Sequence, residues 1–215
     1  MRTSSVASLL LLCVLAGCCP DTLPVVLRPQ ETADWCWAAA EQTIAEYVSE
    51  GAIYPQCELV AEVADAPCPC NPCSTSSAIP QHCQIGGYPD FTRINFDVRE
   101  LAGSSLTNYN ETELAKELCS GVLCGKTPVA FAWISVDQNG NPASVNAAGD
   151  PVPDHILVAA GYKKKSGTGW VYVRNPWPVC TGDSEWIRYS EFAGGAGYVL
   201  NNVYDHIRKR AASAP

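Results

Sequence analysis

The sequence predicts an α+β fold, with helices in the first half of its 215 residues and an antiparallel β-sheet in the second half. Two segments with helical spacing of apolar residues precede Lys126, whereas four short β-branched or aromatic runs between turn signals follow it. Twelve cysteines, 16 glycines and 16 prolines indicate long loops and an oxidising compartment. Because helices come first and strands second, we expect a cleft between the two halves.

The first predicted helix spans residues 35–49. Its apolar residues recur at helical spacing and would form one buried face: Trp37, Ala40, Ile44, Tyr47 and Val48. Asp34 has a side chain suited to an N-cap, and Gly51 is the residue type that commonly follows a helix end. The sequence therefore predicts an amphipathic helix that packs against the core.

A second helix is predicted from Glu111 to about Ser120. Asn110 to Glu113 have the spacing of a capping box, and apolar residues follow on one helix face. The intervening residues 57–89 are rich in Cys, Pro and Ser and contain five cysteines. We expect this segment to form loops.

Four strands are predicted in the second half. Each is a short β-branched or aromatic run, and the four runs lie at residues 128–136, 156–162, 170–174 and 197–203. Turn-forming residues at 139–142 and 166–169 separate neighbouring runs. The second turn would join two adjacent antiparallel strands as a hairpin.

Composition and charge exclude some classes of function. Lys and Arg number 14 against 22 Asp and Glu, which gives a net charge of −8 and a pI near 4.8. A nucleic-acid partner is not expected, because phosphate binding needs a basic surface. Hydrophobic residues make up 47% and charged residues 17% of the chain, which is typical of a folded globular protein.

Residues 1–17 have the features of an export signal. Arg2 precedes an apolar run at residues 6–16 that is too short to cross a bilayer as a helix. The run ends in Leu-Ala-Gly directly before Cys18, which resembles the lipobox of bacterial lipoproteins. The resemblance implies cleavage before Cys18 and a lipid on that cysteine. The alternative is an ordinary secretory signal that happens to precede a cysteine.

The rest of the chain divides into three predicted parts. Residues 18–23 would be a short lipid-bearing tether, residues 24–208 one folded domain, and residues 209–215 a tail. No second apolar stretch approaches transmembrane length, so the lipid on Cys18 would be the only membrane anchor. The tether is short enough to hold the domain close to the membrane surface.

Cys36 is the predicted nucleophile. It lies in the first turn of the predicted helix, where unpaired N–H groups and the helix dipole favour a thiolate and lower the pKa of a cysteine. Among three histidines, only His155 opens a predicted strand, and Asn175 ends the next one. The hairpin would place His155 and Asn175 at one sheet end, where an amide could orient the imidazole towards the sulfur.

These residues, together with their neighbours, resemble the papain-like cysteine peptidases, especially the bacterial branch that includes secreted effectors of plant pathogens. The matching segments occur in family order: Gln30 six residues before Cys36, Trp35-Cys36-Trp37-Ala38-Ala39, Cys83-Gln84-Ile85-Gly86-Gly87-Tyr88-Pro89, His155, and Asn175-Pro176-Trp177. They span roughly residues 25–203. The resemblance implies a papain-like fold with the active-site cleft between its two halves.

The resemblance also implies a role for each residue. Cys36 would be the nucleophile, His155 the general base and acid, Asn175 the orienting amide, and Gln30 the side-chain donor of the oxyanion hole. Gly86 and Gly87 would bind the substrate backbone as an added strand, since glycine permits close approach. Trp177 would shield the hydrogen bond between His155 and Asn175 from water.

The remaining cysteines leave alternatives open. Nine remain without Cys13, Cys18 and Cys36, and eight of these could form four disulfides in 105 pairings. The cluster Cys68, Cys70, Cys73, His82 and Cys83 could instead bind zinc. Cys36 itself could be a buried structural thiol or one half of a disulfide.

The expected function is a membrane-tethered thiol endopeptidase of the bacterial envelope, on the periplasmic or outer-surface side. It would act as a monomer on protein or peptide substrates through a Cys-His-Asn triad and without a cofactor. Two alternatives stay open. The same residues could transfer an acyl group to an amine, as in transglutaminase-like proteins, or the chain could be a silent, disulfide-stapled binding module.

Overall fold

A computed structural model describes residues 21–70, 73, 79–119, 127–195 and 197–211. The predicted signal at residues 1–17 and the lipidation site Cys18 lie outside the described residues. The α-helices are α1 (Cys36–Val48), α2 (Gln56–Ala64), α3 (Glu111–Cys119) and α4 (Tyr189–Ala193), and short 3₁₀ helices span Gln81–Cys83 and Gly103–Asn108. Within these described parts, no helix is both long and apolar enough to cross a bilayer.

The strands form one seven-stranded antiparallel sheet. They are β1 (Phe96–Ala102), β2 (Val129–Ser135), β3 (His155–Lys165), β4 (Thr168–Asn175), β5 (Asp183–Arg188), β6 (Gly194–Gly195) and β7 (Tyr198–Lys209). Their order across the sheet is β1-β7-β2-β3-β4-β5, with β6 beside β7. The α+β class and the antiparallel sheet predicted from the sequence are confirmed.

The sheet is covered on both faces. Alternate residues of a strand point to opposite faces, so Ile156 and Val158 of β3 pack in a cluster with Trp37 and Ile44 of α1. Leu157 and Ala159 belong to a second cluster, which includes Leu114 and Leu118 of α3 and the ring of Phe131. The continuous apolar pattern of β3 follows from this burial on both faces.

The order of helices and strands differs from the prediction in several places, since α4 lies among the strands of the second half and two further differences lie before Lys126. Residues 57–89 are not all loop, because α2 covers Gln56–Ala64 and buries Leu59 and Val60. Strand β1 precedes α3 and pairs with β7 at the sheet edge. The helix was not predicted because residues 57–89 are rich in Cys, Pro and Ser, which favour loops. The strand was not predicted because β1 contains charged residues, which an edge strand tolerates since it needs little apolar surface.

The start of α1 also differs from the prediction. The helix begins at Cys36, and Trp35 occupies the N-cap position without a side-chain capping bond. Asp34 is exposed and is not the N-cap, because the chain makes a turn from Thr32 to Trp35 just before the helix. Cys36 is therefore the first helical residue, where its backbone N–H has no acceptor within the helix.

Candidate active site

His155 and Asn175 lie at the same end of the sheet. The β3–β4 hairpin aligns Val158 with Arg174, so the first residue of β3 and the last residue of β4 come together. The His155 Nε2 atom lies 2.6 Å from the Asn175 Oδ1 atom. The proximity expected from the predicted hairpin is confirmed.

A second contact of Asn175 fixes the hydrogen positions. The backbone N–H of Trp177 donates to Asn175 Oδ1 over 2.9 Å, which identifies this atom as the amide oxygen. Because an amide oxygen can only accept, His155 Nε2 must carry the hydrogen in this pair. In the neutral ring the lone pair is then on Nδ1, and Nδ1 is the nitrogen that can take a proton from a thiol.

The Cys36 thiol lies against the start of the strand that carries His155. Cys36 is the free cysteine of the described residues and is 8% exposed. Burial raises the pKa of the Cys36 thiol above its ordinary value, and the backbone N–H groups of Ile156, Trp37 and Cys36 oppose this shift. The negative charge of Asp34 adds to the increase in pKa. Ile156 follows His155 directly, so these contacts bring the sulfur to the same strand end.

The protonation of the site differs from the sequence expectation. We expected the helix start to lower the pKa of Cys36, but burial outweighs that effect. Burial also lowers the pKa of His155, which the hydrogen bond to Asn175 partly offsets. Both shifts favour the neutral form, of the thiol in one case and of the imidazole in the other. A thiolate at neutral pH therefore needs a base, because the helix dipole alone does not lower the pKa of Cys36 below its ordinary value.

Gln30 is fixed to the loop that follows Asn175. Its backbone N–H donates to the Pro176 carbonyl over 3.0 Å, and its carbonyl accepts from the Cys180 N–H over 2.9 Å. The side chain is 1% exposed, and its Nε2 atom donates to the carbonyls of Thr32 and Ala33 over 2.7 and 2.9 Å. Both amide hydrogens are thus in use. The oxyanion role expected for Gln30 requires it to exchange one of these carbonyls for the substrate oxygen.

Gly86 and Gly87 lie in an extended segment with open space before them. A Cβ atom added at either glycine would meet nothing within 4 Å. The segment is held to one face of α1 at both ends, because Trp37 Nε1 donates to the Ile85 carbonyl over 2.7 Å and Glu41 accepts from the Asp90 N–H over 3.1 Å. The glycine segment is therefore anchored to α1 at both ends and has no neighbour at the positions of the missing side chains.

Glu41 was not predicted from the sequence. It lies one helical turn after Trp37, is fully buried, and has one carboxylate oxygen, Oε1, without a hydrogen-bond partner. Burial raises the pKa of Glu41 to about 7, while the Asp90 N–H and the charge of Arg93 oppose the shift. The signal that could have revealed it is an acidic residue on the apolar face of the first helix.

Trp177 is 48% exposed, so half of its surface stays open to solvent. Its backbone N–H holds Asn175, as described above. Trp35 and Trp37 belong to the core, as expected, and each is 1% exposed.

Six cysteines form three disulfides among the described residues: Cys57–Cys70, Cys68–Cys83 and Cys73–Cys180. The zinc alternative for the cluster of residues 68–83 is therefore wrong, because its four sulfurs are oxidised and cannot act as thiolate ligands. The Cys73–Cys180 bridge joins the cysteine-rich segment to the loop that follows Trp177. Cys19 and Cys124 lie outside the described residues.

Comparisons with known proteins identify no family for the chain. No protein-family model matches it, and a search of curated proteins found no match. The resemblance to papain-like peptidases therefore rests on the residues quoted above and on their order.

Proposed function

We propose that the chain is a papain-like thiol endopeptidase, anchored by a lipid on Cys18 in the bacterial envelope. The observation that carries this proposal is the hydrogen bond between His155 Nε2 and Asn175, on a strand whose next residue, Ile156, packs in one cluster with the free thiol of Cys36. A buried free thiol, a helix N-terminus and an oriented imidazole together supply a nucleophile and its base.

The reaction begins when Cys36 Sγ attacks the carbonyl carbon of a peptide bond and its proton passes to His155 Nδ1. The resulting oxyanion accepts hydrogen bonds from the Cys36 backbone N–H and from Gln30, which releases one of its two carbonyl partners. The tetrahedral intermediate then collapses, and Nδ1 protonates the leaving amine. A thioester remains on Cys36.

Water completes the reaction. His155 Nδ1 takes a proton from a water molecule, whose oxygen attacks the thioester carbon. The C–S bond breaks, the carboxylic acid leaves, and the proton on Nδ1 returns to the sulfur. Gly86 and Gly87 would bind the substrate backbone during both steps, because no side chain occupies the space before them.

The test is release of soluble fragments from fluorescein-labelled casein by the purified protein. We expect Cys36→Ser to abolish detectable release while keeping the unfolding midpoint of the wild type, and His155→Ala to lower the rate of release by about 10³–10⁴. Unchanged release by Cys36→Ser would contradict the proposal.

Acyl transfer is the second candidate function, because a thioester can react with an amine as well as with water. Casein is incubated with the protein and dansylcadaverine, a primary amine, and the products are weighed. Hydrolysis adds the mass of water to each pair of fragments, whereas transfer attaches the amine to casein. If only products of acyl transfer were found, the protein would be an acyl transferase and the peptidase proposal would be wrong.

The lipid anchor is tested separately. When the full chain is expressed in bacteria fed with radioactive palmitate, we expect label on the wild type and none on Cys18→Ala. Equal labelling of both proteins would contradict lipidation at Cys18.

A further inference from the structure

One face of β3, β4 and β5 carries cations above aromatic rings. Directly opposed residues of antiparallel strands share a face, and Lys163 opposes Trp170, which in turn opposes Arg188. Lys163 Nζ lies 3.7 Å from the centre of the Trp186 ring, and the Arg188 guanidinium carbon lies 5.9 Å from that of Trp170. We call Lys163, Lys165, Trp170, Trp186 and Arg188 the basic patch.

The nearest carboxylate contact of the basic patch in the described part of the chain is with backbone, because Glu191 accepts from the Arg188 N–H over 2.8 Å. No salt bridge there involves Lys163, Lys165 or Arg188. Lys164 points to the opposite face, where it lies 4.0 Å from Glu111. Three cations on one face of a chain with a net charge of −8 create a local positive field.

A groove between these cations offers room for a ligand. Its volume is about 420 Å³, and Lys165, Ser166, Thr168, Trp170 and Arg188 line it. The lining combines two cations, two hydroxyl groups and an indole. This combination suits the phosphate and glycerol of a lipid headgroup, and tryptophan is typical of the membrane–water interface.

The amino-terminal end of the described chain emerges beside the basic patch. Thr22 pairs with Gly161, and the Leu23 N–H donates to the Ala160 carbonyl over 2.7 Å. A Cβ atom on Gly161 would collide with the backbone of Asp21 and Thr22, so this segment crosses the face to which Lys163 also points. Cys18 is three residues before Asp21, a span of at most about 11 Å.

We propose that the basic patch is the surface through which the protein lies on a membrane of anionic lipids. The inference rests on the proposed lipid at Cys18, because that lipid would bring the bilayer to the same face. Each cation near an anionic surface increases membrane partitioning about fivefold, so the three together contribute about 100-fold. The patch supplies a second attachment and fixes the orientation of the domain.

The candidate active site lies at the other end of β3 from the basic patch. His155 is six residues from Gly161 along the strand, which corresponds to about 20 Å.

The first test footprints lysines on the full chain. The lipidated protein is placed in vesicles of phosphatidylglycerol or of phosphatidylcholine, and amine acetylation is measured by mass spectrometry. We expect at least fivefold protection of Lys163 and Lys165 in phosphatidylglycerol only, lost at high salt, with Lys116 unprotected in both. Equal reactivity of Lys163 and Lys165 in the two lipids would overturn the proposal.

The second test uses charge-matched variants of the same chain without the lipid. The patch variant carries Lys163→Gln, Lys165→Gln and Arg188→Gln, and the control carries Lys116→Gln, Lys209→Gln and Arg210→Gln. We expect about 100-fold weaker partitioning into phosphatidylglycerol vesicles for the patch variant and much less loss for the control. Equal losses would overturn the specific role of the patch, as would binding of soluble polyphosphate without binding of vesicles.

Failure of this inference is separable from failure of the proposed function. Casein hydrolysis in solution is measured on the same patch variant and should equal that of the wild type, because none of the three substituted residues has a role in the proposed reaction. Palmitate labelling shows independently whether Cys18 is lipidated. A labelled, active protein with an unprotected patch contradicts the docking surface alone.

Discussion

The two halves of the candidate active site are held in place by different kinds of contact. His155 and Asn175 lie at the ends of paired strands, and the backbone register of β3 and β4 brings them together. The segment that carries Gly86 and Gly87 is held instead by single side chains, Trp37 at one end and Glu41 at the other. A position fixed by a sheet register tolerates side-chain changes, whereas one fixed by a few buried polar groups does not.

The largest effect is expected on the sheet half of the site, in catalysis rather than in stability. His155→Ala should lower turnover of casein by about 10³–10⁴, because it removes the base while the β3–β4 register persists. The measurement is the rate of fragment release, with a thermal melt of the same sample. If His155→Ala also lowered the unfolding midpoint strongly, the fall in turnover would reflect loss of the strand pair and not loss of the base.

The next effect concerns the disulfide that joins the two halves. Cys73→Ser with Cys180→Ser should lower the free energy of unfolding by about 2–5 kcal/mol, because the bridge closes a loop between residues 107 positions apart. Urea unfolding measures the change. A loss below about 0.5 kcal/mol, as for a surface substitution, would contradict a structural role for this bridge.

The helical half should respond to pH through Glu41. Its folded-state pKa of about 7 lies above the ordinary value of 4.5, so the stability it contributes is full below pH 4.5 and is lost as pH rises through 7. Glu41→Gln should therefore match the wild type near pH 4.5 and exceed it by about 3 kcal/mol above pH 8. Urea unfolding across this range measures the difference.

The matched control for Glu41 is Glu58→Gln, the same chemical change at an exposed position of α2. This surface substitution should change the free energy of unfolding by less than about 0.5 kcal/mol. If Glu41→Gln also ran parallel to the wild type between pH 4.5 and 8, the buried carboxyl would have no influence on stability.

The smallest expected effect is a difference in stability between substitutions of a buried and an exposed tryptophan. Trp37→Phe should destabilise the protein by about 1–3 kcal/mol, because it removes the donor to the Ile85 carbonyl in the core. Trp177→Phe, at a residue 48% exposed on the sheet half, should change stability by less than about 0.5 kcal/mol. Equal effects in urea unfolding would remove the distinction between the two halves.

The sequence predicts the sheet half better than the helical half, for a physical reason. Strand periodicity and one hairpin suffice to bring His155 to Asn175, because register is a local property of the turn. The buried Glu41 carboxyl, the backbone hydrogen bonds of Gln30 to the loop after Asn175 and the pairing of Cys73 with Cys180 depend on contacts distant in sequence. The upward shift in the pKa of Cys36 was missed for the same reason, because burial depends on the whole fold.

The central claim is that His155 activates Cys36, and alkylation of Cys36 tests it most directly. The rate of modification by iodoacetamide is measured against pH for the wild type and for His155→Gln, and mass spectrometry assigns the modified cysteine. At pH 7 the wild type should react about 100-fold faster, because Nδ1 accepts the thiol proton, whereas the buried thiol of the variant must ionise alone. Superimposable pH profiles, or a wild-type Cys36 that does not react, would contradict the account.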